Sequence, residues 1–182
     1  MKHKWITVKV LERMNACSEG VEAFKGKYKR VNVVDLIQDN LKGSREELEW
    51  LNWLIVRCMT YKQYVSYAVY AAEQVIAIYE KKYPNDKRPR KAIDAAKKCI
   101  KNPTAKNKKA AYAAAYAAAD AAADADAYGA AAYAADAAAV AAAYAAADAA
   151  AAAAYAAKAC GEPRLKIAQY AIKVIGLDKD DK

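Results

Sequence analysis

The sequence is poor in the residues from which most active sites are built. Its 182 residues contain a single histidine, His3. Histidine is the side chain that most often moves protons in catalysis, so catalysis of that kind is not expected. The glycine-rich phosphate loop, the nucleophile elbow and the zinc-protease motif are also absent from the sequence. We therefore predict that the chain is not an enzyme and that it acts by binding.

Cysteine is scarce and scattered. One cysteine lies in each quarter of the chain and no two form a CxxC pair; they are Cys17, Cys58, Cys99 and Cys160. A structural zinc site needs clustered cysteine and histidine ligands, so neither a metal nor another cofactor is predicted. Scattered thiols of this kind are typical of a protein that is kept reduced in the cytosol.

Long apolar runs are missing as well. The first ten residues lack the apolar stretch of a signal peptide. Spanning a bilayer takes about twenty consecutive apolar residues, and aspartates interrupt the apolar second half before that length is reached. These aspartates are Asp120, Asp124, Asp126, Asp136 and Asp148. The sequence therefore predicts a cytoplasmic protein with no membrane partner.

Alanine is what the sequence has in abundance. It occupies 37 of the 55 positions from 105 to 159. Alanine is the best helix former, but its methyl group buries little area, so helices made of it must approach closely. Gly129 is the predicted break in this block. Tyr133, Tyr144 and Tyr155 recur every eleven residues, which would place them on one stripe of a straight helix.

Helix-start signals divide the first half of the chain. Residues 44–47 and 60–63 have the sequence of capping boxes, and the second box is predicted to open a long helix toward Tyr83. Pro89 and Thr104 have the positions expected at the starts of two further helices. No segment reads clearly as a strand.

The predicted fold is all-α, a helical bundle or a layered helical array with closely packed alanine-rich helices. Residues 33–37 fit a strand or a short helix, and apolar residues that continue at helical spacing favour the helix. The predicted divisions are a small N-terminal helical segment (1–43), a main helical domain (44–176) and a frayed tail (177–182). Within the main domain, amphipathic helices occupy 44–103, alanine-rich helices 104–160 and a terminal helix 163–175.

The basic charge is confined to one segment. Residues 81–109 carry a net charge of +10, whereas the rest of the chain sums to −1. Four of these cations, Lys87, Arg88, Arg90 and Lys91, crowd the start of a predicted helix, where the helix dipole favours anions. Either they bind an anion there, or aspartates of the alanine-rich half neutralise them. The sequence leaves both interpretations open.

Two groups of tyrosines are further candidates for a site. Tyr112, Tyr116, Asp120 and Asp124 share a face of one predicted helix, where they line either a cleft or an interface between helices. Tyr67 and Tyr70 have the same two interpretations. Core or interface is the commoner role for aromatic residues at helical spacing.

Three segments carry a resemblance to a known family. They are Asn52–Leu54 (NWL), Tyr67–Val75 (YAVYAAEQV) and Tyr83–Ile93 (YPNDKRPRKAI). Residues 44–103 resemble the immunity protein family of bacterial toxin–immunity systems, and the alanine-rich helices are similar in style to the second half of that family. Residues 15–24 (NACSEGVEAF) are similar to a leader common in phage and prophage proteins.

The resemblance implies a role in conflict among bacteria, or between phage and bacterium. In one form the chain neutralises a toxin or a host-defence effector by stoichiometric binding. In the alternative form it is a counter-defence sponge that sequesters a phosphorylated, nucleotide-like signal through Arg88, Arg90 or Lys91. Nucleic-acid binding, ice binding and a scaffold role rank below these. Because alanine helices bury little area, we also expect a homodimer or a higher oligomer.

Overall fold

The protein is all-α, as its sequence predicts. The computed structural model describes residues 5–41, 43–125, 129–143, 151–152, 155–156 and 163–176, and the four residues of the two short ranges are helical. The helices are α1 (Val8–Arg13), α2 (Ser18–Lys27), α3 (Val33–Asn40), α4 (Arg45–Cys58), α5 (Tyr61–Glu73), α6 (Ile76–Lys82), α7 (Arg88–Lys101), α8 (Ala105–Ala123), α9 (Gly129–Ala143) and α10 (Pro163–Gly176). Among the described helices, none has the length and hydropathy to cross a bilayer.

Side-chain caps set where the helices begin. The backbone N–H of Glu47 donates to Ser44 Oγ at 3.2 Å, and the N–H of Ser44 donates to Glu47 Oε2 at 2.8 Å, so the capping box at α4 is complete. At α5, Gln63 Oε1 accepts from the N–H of Thr60 at 2.8 Å. Pro89 lies in the first turn of α7. Each cap satisfies a backbone group that a helix end leaves without a partner.

The long helix predicted from Tyr61 toward Tyr83 is wrong in one respect, because it is two helices. α5 ends at Glu73 and α6 begins at Ile76. Neither proline nor glycine lies between them, so the sequence has none of the usual signals of a break. Val75 and Ile76 are β-branched and buried. Their β-branching does not by itself explain the break, because Ile55 and Val56 form a similar buried pair inside the unbroken α4.

A small antiparallel sheet at the N-terminal end was not expected from the sequence. β1 (Trp5–Ile6) pairs with β2 (Val31–Asn32). Asn32 then caps α3, its Oδ1 accepting from the N–H of Val34 at 2.9 Å. Of the two interpretations for residues 33–37, the helix is therefore confirmed. Strands of two residues are too short to leave a periodic pattern in a sequence.

The core changes character along the chain. Near α3, α4 and α5 it consists of large side chains that are almost completely buried, among them Ile37, Ile55, Met59 and Tyr67. Around α9 it consists of methyl groups. Seven alanines of that helix have no exposed surface: Ala132, Ala134, Ala135, Ala138, Ala139, Ala141 and Ala142. Because α9 packs against α5, α6, α7 and α8, close approach of backbones supplies most of the contact in this half.

The predicted break near Gly129 is present, since α8 ends at Ala123 and α9 begins at Gly129. The single stripe of tyrosines is not. The rings of Tyr133 and Tyr155 stack with their centroids 5.2 Å apart, whereas 22 residues of one straight helix would separate them by about 33 Å. These two tyrosines therefore lie on separate helical segments that face each other. Tyr144 and the tail predicted at 177–182 lie outside the described residues.

Three of the four cysteines are free thiols. Cys17 is exposed, and Cys58 and Cys99 are buried. Burial raises the pKa of the Cys58 thiol to about 12, so this group is a neutral part of the core. Cys160 lies outside the described residues.

Candidate binding surface

A network of ion pairs holds the start of α7. Asp86, in the loop before the helix, accepts hydrogen bonds from the Arg88 backbone N–H at 2.9 Å and from its guanidinium Nη2 at 2.8 Å. Tyr79 of α6 donates its hydroxyl to Asp86 Oδ2 at 2.7 Å. Arg88 Nη2 also donates to Asp124 Oδ2, just after α8, at 3.0 Å. Arg88 therefore joins α6, α7 and α8 at one point, and an aspartate of the alanine-rich half supplies part of its counter-charge.

Arg90 is paired as well, but its partner lies outside the alanine-rich half. Its Nε and Nη2 donate to the two carboxylate oxygens of Glu80 at 2.8 and 2.6 Å. These hydrogen bonds lower the pKa of Glu80 and raise that of Arg90, so both groups are charged at neutral pH. Lys97 makes a third pair, its Nζ lying 2.5 Å from Glu73 Oε1. The two pairs attach α7 to α6 and α5.

A stripe of lysines runs along the outer face of α7. We define the lysine stripe as Lys87, Lys91, Lys98 and Lys101. Together with Asp94 these positions alternate four and three residues apart, a spacing that places them on one face of a helix. All five are exposed, and within the described ranges none of the four lysines forms an ion pair. At 1.5 Å per residue the stripe is about 20 Å long.

The ion-pair partners show which cations of this segment are already neutralised and which are not. Arg88 and Arg90 already donate to carboxylates in a forked geometry, which is the geometry they would use for a phosphate. The charge that remains for a partner comes from the lysine stripe. Lysine ammonium groups on flexible stems do not impose one planar geometry, so the stripe suits a broad acidic surface better than a small planar anion.

Replacing Asp86 by asparagine is expected to lower the free energy of unfolding by about 1.5–3 kcal/mol at pH 7, the range for hydrogen bonds to charged groups. Hydrogen bonds from Arg88 hold the pKa of Asp86 well below its usual range. A carboxyl group with a lowered folded-state pKa contributes stability that is complete above its unfolded-state pKa of about 4 and is lost as the pH falls toward the folded-state pKa. The difference between wild type and Asp86→Asn should therefore be constant from pH 7 to about pH 5 and narrow below about pH 4.

Urea unfolding followed by circular dichroism at several pH values measures this difference. Asp94→Asn is the matched control, because Asp94 is an exposed carboxylate on α7, the helix that follows Asp86. Its stability should change by less than about 0.5 kcal/mol. Equal losses in both variants would contradict the role of Asp86, and so would a difference that is as wide at pH 3 as at pH 7.

The predicted tyrosines occupy different environments. Tyr67 is buried in α5, where its hydroxyl donates to Asn52 Oδ1 at 2.7 Å. The ring of Tyr70 stacks on Tyr170 of α10, with centroids 3.9 Å apart. Both side chains therefore lie between helices of the domain.

Tyr112 and Tyr116 lie on the outer side of α8. Their hydroxyls share a hydrogen bond and their ring centroids are 4.6 Å apart. Tyr116 is 57% exposed, and Asp120, one turn further along, is exposed too. Of this predicted group, only Asp124 meets the predicted cations, through Arg88. The six predicted residues are thus spread over three environments.

A cavity of about 390 Å³ lies near the N-terminal end, between α2 and α4. Aromatic side chains, including Phe24, Trp50 and Trp53, line much of it, and the ion pair between Lys27 and Glu47 (3.1 Å) belongs to its wall. Every lining residue lies between positions 11 and 54. None of the site residues predicted from the sequence is among them.

Sequence reasoning found half of the lysine stripe. Lys87 and Lys91 were predicted because they crowd a helix start, whereas Lys98 and Lys101 were not singled out. The signal for them was present, because the alternating spacing of four and three continues from Lys91 through Asp94 to Lys101.

One comparison with known proteins gives a match. A family model described as "Imm-5 like putative immunity protein" matches residues 58–166, which is 109 of the 182 residues. The matched stretch contains α5 to α9, and with them the lysine stripe and its paired arginines; it leaves out all residues of the cavity. No curated protein and no solved structure is significantly similar to the chain.

Proposed function

Because the chain belongs to the Imm-5 like putative immunity protein family, we propose that it is a non-catalytic protein that neutralises a toxin, or a host-defence effector, by stoichiometric binding. Membership of this family supports a role in binding a toxin. The finer part of the proposal concerns the surface that does so. We assign that role to the lysine stripe on α7, which lies within the matched residues.

The observation that carries the proposal is the contrast between paired and unpaired cations on one helix. Arg90 and Lys97, at the edges of the exposed face of α7, are paired with carboxylates. Along the centre of that face, and within the described residues, the four lysines of the stripe have no such partner. A row of solvated charges with a net positive sign, four lysines around the single Asp94, accelerates association with an acidic surface and selects against basic partners. The fitting partner is therefore a protein with an acidic face.

Rigidity of the scaffold supports the same function. α7 is attached to α5 and α6 by ion pairs and to α8 by the Arg88–Asp124 contact. The backbone of a helix fixed on several sides loses little conformational entropy on binding. This arrangement suits an inhibitor that must hold a partner in one orientation.

The alternative, a sponge for a phosphorylated signal, has less support from the same geometry. Of its three predicted phosphate ligands, Arg88 and Arg90 already donate to carboxylates at 2.6–3.1 Å, which leaves Lys91. A phosphate would have to displace Asp86 from Arg88 or Glu80 from Arg90. Displacing a hydrogen-bonded carboxylate leaves a charged group without its partner, which costs free energy that the new ligand must exceed.

Co-expression with bacterial toxins and native mass spectrometry of the purified protein test the proposal. We expect the chain to restore growth of bacteria that produce one member of a panel of bacterial toxins, and to co-purify with that toxin in a fixed ratio by native mass spectrometry. Growth rescue without a complex would contradict stoichiometric binding. A bound species of several hundred daltons, released on unfolding, would contradict the proposal in favour of the sponge and would identify its cargo.

A further inference from the structure

The outer face of α8 has Lys106 and Lys109 toward its start, Ala113 at its centre and Asp120 toward its end, and all four are exposed. At 100° per residue, Lys106, Ala113 and Asp120 lie within about 40° of one another around the helix. Ala110 and Ala117 flank Ala113, the first exposed and the second half-buried. In the part of the chain that the structure describes, neither Lys106 nor Asp120 forms an ion pair.

This face of α8 is complementary in charge to a second copy of itself that runs in the opposite direction. Lys106 precedes Ala113 by seven residues, and Asp120 follows it by seven. In two antiparallel copies of α8 related by a two-fold axis at Ala113, Lys106 of each copy faces Asp120 of the other. The same axis sets Tyr116 of one copy opposite Lys109 of the other, because the two residues lie three and four positions from Ala113 on the same side of this face.

We propose that this face of α8 is the interface of a symmetric homodimer, occupied by a second copy of this chain. Charge complementarity carries the assignment, because the two-fold operation forms two Lys106–Asp120 pairs and creates no like-charged pair between these positions. Two-fold dimers with self-complementary patches are the commonest form of homo-oligomer. Ala113 at the axis, with Ala110 and Ala117 beside it, leaves room there for close approach of the two helices.

The exposure of Tyr116 agrees with this assignment. Within the described residues, Tyr116 and Trp5 are the large apolar side chains that remain exposed, at 57% and 44%. One pair of helices forms the interface. Its buried area is therefore at or below about 1,200 Å², the low end for stable interfaces. The dimer is therefore weak and depends on concentration, and it leaves the lysine stripe on α7 available.

Sedimentation velocity of the purified chain tests the proposal without any toxin. The wild type is expected to shift from monomer to dimer between about 1 µM and about 1 mM, the range of weak complexes. The variants Lys106→Asp and Asp120→Lys each create two like-charged pairs per dimer and should raise the dimer Kd at least about tenfold. The double variant K106D/D120K restores both pairs and should recover dimerisation. A wild type that stays monomeric, or a double variant that is no better than the singles, would overturn the proposal.

Cross-linking checks the geometry independently. In a Cys17→Ser/Cys160→Ser background, Ala113→Cys places two thiols beside the two-fold axis, whereas Ala123→Cys places them about 30 Å apart along the antiparallel pair. Both alanines are exposed, so neither variant should disturb folding. A short bis-maleimide is expected to cross-link the Ala113→Cys chain at least about tenfold more efficiently than the Ala123→Cys chain, as the difference in thiol separation requires. Equal yields at the two positions would contradict the arrangement.

Discussion

Reversing the charge of Lys91 and Lys98 together (K91E/K98E) is expected to raise the Kd for the cognate toxin about 100-fold at low ionic strength. Both residues lie in the middle of the lysine stripe, and both are exposed. The variant turns two attractions into two repulsions at the centre of the proposed contact. Because such charges act during the approach of two proteins, we expect the association rate constant to fall at least about tenfold.

A matched control separates the stripe from net charge. Lys166 and Lys173 on α10 are also exposed and also seven residues apart, so K166E/K173E changes the net charge by the same amount. We expect it to change the Kd less than about threefold. Surface plasmon resonance at low and high salt measures both variants. Raising the salt should weaken wild-type binding toward that of K91E/K98E. Equal losses in the two variants, or no loss in either, would place the interface elsewhere on the molecule.

Replacing Ala138 by leucine is expected to lower the free energy of unfolding by about 3 kcal/mol or more, the upper range for overpacking of a core. Ala138 has no exposed surface in α9, the helix that contacts α5, α6, α7 and α8. Three added carbon atoms have no space there unless a neighbouring helix moves away. For a chain of this length a loss of that size lowers the Tm by about 6–12 °C.

The exposed Ala77 of α6 provides the control for helix propensity. Alanine and leucine differ little in that propensity, so Ala77→Leu should change the Tm by less than about 2 °C. Thermal unfolding followed by circular dichroism measures both variants. Equal changes in Tm for Ala138→Leu and Ala77→Leu would contradict the close packing of the alanine helices.

Most of the fold could be predicted because its signals are local. Capping boxes at Ser44 and Thr60, Pro89 at a helix start and Gly129 after α8 each act within a few residues of their position in the chain. The break between α5 and α6 could not be predicted in this way. No turn residue accompanies it, and the buried β-branched pair beside it, Val75 and Ile76, has a counterpart inside the unbroken α4.

The candidate site likewise has one part that local sequence signals predict and another that they do not. The cationic cluster at the start of α7 was visible as composition, but the partners of Arg88 and Arg90 were not. Asp124 lies 36 residues from Arg88, and Glu80 lies in a separate helix from Arg90. Only the tertiary arrangement shows which cations are neutralised. The lysine stripe, by contrast, follows from helical spacing alone.

Packing of alanine on alanine does little to fix the alignment of the helices in this half of the molecule. Methyl groups repeated along facing helices have almost no distinctive shape, so sliding α9 by one turn would exchange one methyl contact for another at little cost. Polar contacts do not tolerate such a slip. The hydroxyl of Tyr61 on α5 donates to the carbonyl oxygen of Ala142 on α9 at 2.6 Å, and Arg88 reaches Asp124 in one alignment of α8. The alanines supply most of the contact area, and a few hydroxyl and guanidinium groups select one alignment from many of nearly equal free energy.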